Sequence, residues 1–93
     1  MIKRSKSEND AKDMVHHNII IYRRISEKMN EMNRLINDLE YIDIEVKDIS
    51  NELLHKKDHE LQSDLVSLLL ERDLIKEMMT CINTQIDYNI SIL

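Results

Sequence analysis

Ninety-three residues, a third of them charged and with no Phe, Trp, Gly or Pro, leave room for one domain and exclude a compact globule built round aromatic side chains. The formal net charge of −5 lies wholly toward the C-terminus: residues 1–57 hold eleven acids and eleven bases, whereas residues 58–93 hold seven acids against Arg72 and Lys76. The basic runs Lys3-Arg4-Ser5-Lys6 and Arg23-Arg24 make no stripe able to neutralise phosphates, so nucleic-acid binding is not expected.

Residues 1–13 are polar and aperiodic and read as a flexible arm, frayed or closed by a capping box of Ser5 and Glu8. A first helix is expected over residues 14–54. Ile25, Met32, Leu39, Val46 and Leu53 occupy heptad position a, with Ile21, Leu35, Ile42 and Ile49 at d. Asn18 at a and Lys28 at d interrupt this seam. Asn18 lies near the helix start and is expected to be exposed; Met29 is placed to fill the space beside Lys28 while the lysine stem reaches outward. His16-His17 reads as a solvated helix start.

After Leu53 that frame fails, because continuing it would bring Glu60, Ser63 and Ser67 into the seam. A second frame, offset by two residues, has Leu61, Leu68, Ile75 and Ile82 at d and Leu65, Met79, Ile86 and Leu93 at a. An offset of two is neither a stutter nor a stammer and resists one continuous coil. The segment at the break carries Lys56 and Lys57, suited to a helix C-terminus, then Asp58, suited to an N-cap, with Glu60 in the next first turn. The expectation is a turn over 55–59 and a second helix over 60–93, together an all-α antiparallel two-helix coiled-coil hairpin. The competing arrangement is a single kinked helix, because the turn offers neither Gly nor Asn.

The second helix carries an additional apolar stripe at Val66, Leu70, Leu74, Met78 and Cys81. One partner helix covers one side only, so residues 61–86 are expected to associate with a second copy or another protein, completing a bundle. Candidate contact residues are Leu65, Val66, Leu68, Leu70, Arg72, Asp73 and Met78. Arg72 falls in the seam, where a charged side chain either reaches solvent or pairs across an interface and sets partner choice. Cys81 reads as a small packed hydrophobe.

No metal, cofactor or catalytic residue is expected. His55 and His59 have a chelating spacing of four, but no third ligand is specified and polar residues suit a helix–helix turn. No Ser/His/Asp set or phosphate loop is placed by this fold, so a non-enzymatic adaptor or scaffold subunit is expected. The lone Cys81 and the polar N-terminus point to a reducing, cytoplasmic setting. The longest apolar run, Leu68-Leu69-Leu70, is far short of the ~20 residues of a membrane span.

The run Leu61-Gln62-Ser63-Asp64-Leu65-Val66-Ser67-Leu68-Leu69-Leu70-Glu71-Arg72-Asp73 resembles part of the bMERB domain of MICAL and EH-domain-binding proteins, and equally the coiled coil of the schwannomin-interacting proteins. The first resemblance implies a helical effector of Rab-type small GTPases, with Leu65, Val66, Leu68, Arg72 and Asp73 as contact candidates. The second implies a cytoskeleton-linked adaptor. The third long helix of bMERB domains has no counterpart, and Leu74-Ile75-Lys76 departs from the pattern that follows the Arg-Asp pair.

Overall fold

The structure, a computed structural model, describes the backbone of residues 2–93 and the side chains of residues 12–93. Two helices account for nearly all of it: α1 (Ile2–Leu53) and α2 (His59–Ser91), folded back on each other as a hairpin. Helical backbone thus also covers residues 2–13 of the segment read as a flexible arm. Nothing in that segment breaks a helix, and Lys, Arg, Glu and Ala all propagate one readily. The Ser5 and Glu8 side chains of the expected capping box lie outside the described residues.

The reversal occupies Leu54–Asp58. Leu54 N and His55 N donate to Asn51 O and Glu52 O at 3.3 and 3.1 Å, tightening the last turn of α1. Asp58 then opens α2 in extended geometry (φ −138°, ψ 113°), its Oδ1 accepting from Glu60 N at 2.9 Å and Leu61 N at 3.2 Å. Lys56 Nζ stands 3.9 Å from Asp58 Oδ2. No described residue has a positive φ. The chain therefore turns without glycine because an aspartate cap satisfies the first amides of α2, which a left-handed residue closing α1 would not have done.

The seam follows both heptad frames except at Leu93, the last a position of the second, which is exposed. Leu35, Ile42, Ile75 and Ile82 form the buried core, with Met32, Leu39, Val46, Leu68, Met79 and Ile86 packed against it. Asn18 is half-buried rather than exposed, and Met29 stands exposed rather than filling space beside Lys28, whose Nζ pairs with Glu31 at 3.6 Å. A polar residue beyond the expected seam, Asn89, is also buried; it lies seven residues past Ile82, and its Nδ2 donates to Gln85 O at 2.7 Å.

The product is a rod of 83 × 15 × 14 Å with a radius of gyration of 22.8 Å, where a compact chain of this length would measure roughly 12 Å. Counted back from the turn, the 33 residues of α2 match α1 from Ile21 to Leu53. Ile21, fully buried, is therefore the last core position, and α1 continues beyond the end of α2. At 1.5 Å per residue that extension is about 28 Å long.

Candidate functional site

The outer side of α2 is the surface that the hairpin leaves unexplained. Its helix turns through about 100° per residue, so Val66, Leu70, Leu74, Met78 and Cys81 form one stripe centred about 150° from the seam. All five are exposed, the first four by 51 to 62%. Cys81 is accordingly a surface thiol, not the packed hydrophobe its composition suggests. A shallow groove lined by Glu77, Thr80, Cys81, Thr84 and Gln85 continues the stripe toward the C-terminus. Thr80 and Thr84 donate their hydroxyls to Lys76 O and Thr80 O at 3.1 and 3.0 Å, leaving a surface largely of methyl groups.

The seven candidate contact residues divide between two faces. Val66, Leu70 and Asp73 point outward and share the stripe or its edge, while Met78, though exposed, flanks the seam in a groove it lines with Glu31, Arg34, Leu35 and Ile82. Leu65, Leu68 and Arg72 turn inward onto α1, because the a and d positions of the second frame belong to the hairpin seam itself. Arg72 Nη1 lies 3.7 Å from Asp43 Oδ1 of α1, while its Nε is buried without a hydrogen-bond partner. Of the two alternatives for this arginine, reaching solvent or pairing, it pairs, and does so inside the molecule.

Charge frames the outer face on one sign. Glu60, Asp64, Glu71, Asp73, Glu77 and Asp87 are all exposed on α2. The two bases of this helix are elsewhere: Arg72 is committed to Asp43, and Lys76 projects beside the seam. Tyr41, exposed on α1, has its hydroxyl held above the ordinary phenol range by hydrogen bonding to Glu45 one turn on and by the negative charge of that carboxylate.

His55 lies in the turn and His59 begins α2, both exposed. Among the described residues no group of three or more His, Cys, Asp or Glu side chains is arranged to hold a metal ion. Among the same residues no helix is long and apolar enough to cross a membrane. Compared with known proteins, the chain matches no family model, no curated protein and no solved structure.

Proposed function

We propose that this chain is a non-enzymatic interaction module of the cytoplasm, a helical strut that docks a partner helix along the outer face of α2. One observation carries the reading: an apolar stripe four turns long, Val66 to Cys81, lies on the side of α2 away from its own core. Burying such a stripe against a second helix removes it from water at about 25 cal/mol per Å², and apolar stripes at this spacing are how helices recognise one another.

The acidic frame narrows the partner. Two copies of α2 laid antiparallel on this face would bring Glu71, Asp73 and Glu77 against one another, which opposes association. An amphipathic helix with Lys or Arg at its edges meets both requirements, so the occupant is a different, basic-edged polypeptide. The small-GTPase reading rests on five residues of which Leu65, Leu68 and Arg72 are occupied in the hairpin seam, leaving only Val66 and Asp73 for contact.

Cys81, the single cysteine of the chain, provides a native probe of this face. A photo-crosslinker attached to its thiol should capture the partner, and the purified partner should slow thiol modification at Cys81 with an affinity that falls as salt rises. Unchanged Cys81 reactivity in the saturated complex would refute docking on this face. Binding of a Rab-type GTPase that depends on its bound nucleotide would favour the effector reading instead.

A further inference from the structure

A second exposed stripe runs along α1, and it differs from the first in following the heptad. Val15, Tyr22, Met29 and Ile36 are seven residues apart and all exposed, with Ile19 beside them. A seven-residue spacing keeps a stripe facing a partner that coils with the helix. The stripe is also continuous with the hairpin seam. A groove lined by Ile25, Met29, Met32, Asn33, Asn83, Ile86 and Ile90 joins the two.

We propose that this stripe is covered by the same stripe of a second copy, the two α1 helices crossing antiparallel with the two-fold axis between Ile25 and Ser26. An isologous contact requires a surface that pairs with itself when reversed. Reversal about the point between Ile25 and Ser26 sets Val15 against Ile36, and Tyr22 against Met29, of the other copy. At the rims it brings exposed Lys12 to within one residue of facing exposed Glu40. Ser26, small and exposed, stands where the helices approach most closely.

Long-range charge favours the same orientation. Residues 1–34 hold eight bases and five acids, a net +3, while residues 35–53 hold six acids and Lys47, a net −5. Antiparallel overlap lays the basic part of each α1 along the acidic part of the other. It also provides a neighbouring helix for the part of α1 that continues past the end of α2. The stripe on α2 lies on a different side of the hairpin. Packing α1 of one copy onto α2 of the next would be a head-to-tail contact that repeats without closing.

The test uses the full chain in two measurements. Light scattering across a hundredfold dilution should show a species of twice the 11.1 kDa chain mass dissociating at the dilute end. Ser26→Glu, which places two carboxylates beside the axis on an exposed helical position, should weaken it at least tenfold with helicity unchanged. With Cys81→Ser as background, Ser26→Cys should oxidise to a covalent dimer. Helix axes 8–10 Å apart bring facing Cα atoms to roughly 5 Å, within disulfide reach. Mixed Tyr22→Cys and Met29→Cys chains should couple to each other and not to themselves.

A monomer at every concentration, self-coupling of Tyr22→Cys, or a dimer unaffected by Ser26→Glu would each overturn the proposal. So would growth beyond the dimer that Leu74→Asp abolishes, which would assign self-association to α2. Loss of partner binding at Cys81 with the dimer intact bears on the α2 reading alone.

Discussion

Replacing Arg72 by leucine should stabilise the hairpin. Arg72 occupies an a position with its Nε buried and unpaired, and its one ion pair reaches an Asp43 carboxylate whose side chain is 54% exposed, at 3.7 Å. Relieving an unpartnered buried donor is worth about 1–3 kcal/mol. Losing an ion pair this open to water costs about 0.5 kcal/mol. A leucine in the same seam position adds roughly 1 kcal/mol of apolar burial. The sum is a gain of about 2 kcal/mol, or roughly 10 °C in Tm for a chain of this size. Thermal melts followed by circular dichroism, at matched concentration because association also moves Tm, measure it directly. A lower Tm in Arg72→Leu would refute the reasoning and show that the Arg72–Asp43 contact holds the helices together. A double-mutant cycle with Asp43→Asn separates the cases, since the account requires a coupling below about 1 kcal/mol.

Leu68→Asp buries a carboxylate against the core and should cost more than about 3 kcal/mol and most of the helicity. Leu74→Asp, on the outer face, should leave the melt within about 0.5 kcal/mol, so equal effects of the two would contradict the assignment of faces. Asp58→Ala removes the acceptor for two amides of α2 and should lower stability by about 1 kcal/mol, with Asp58→Asn retaining most of it; an unchanged urea midpoint in the alanine variant would exclude the cap. The raised Tyr41 titration implies that its contact with Glu45 is present below the ordinary phenol pKa and lost as pH rises through the raised value. Glu45→Gln should therefore shift phenolate absorbance to lower pH, and an unchanged titration would mean that Glu45 is not the cause.

The seam was legible because a and d positions report burial directly: Leu35, Ile42, Ile75 and Ile82 form the core at the positions the two frames name. The Asp58 cap was equally plain, since an aspartate after two lysines at a break in the frame has few other uses. What escaped has physical reasons. Asn89 is reached by stepping seven residues from Ile82, but only apolar residues were counted at the d positions of the second frame, so its amide was passed over. The helical backbone preceding Met14 needs no periodicity, only the absence of breakers, and pattern reading credits periodicity alone. The α1 stripe was hidden by its neighbour. Met29 borders the seam, so it was read as part of it, and only the observed exposure separates the two. Leu65, Leu68 and Arg72 were grouped with outward residues because similarity along a sequence does not distinguish the faces of a helix.

If the outer face of α2 docks a partner and takes no part in holding the hairpin together, substitutions there separate binding from folding. One paired measurement tests it most directly: the affinity of the partner captured at Cys81 and the thermal melt, both taken on Leu70→Asp/Leu74→Asp beside the unaltered chain. The double variant should lose at least a hundredfold in binding, with its melt shifted by no more than a few degrees. Undiminished binding, or a hairpin that no longer folds, would contradict it.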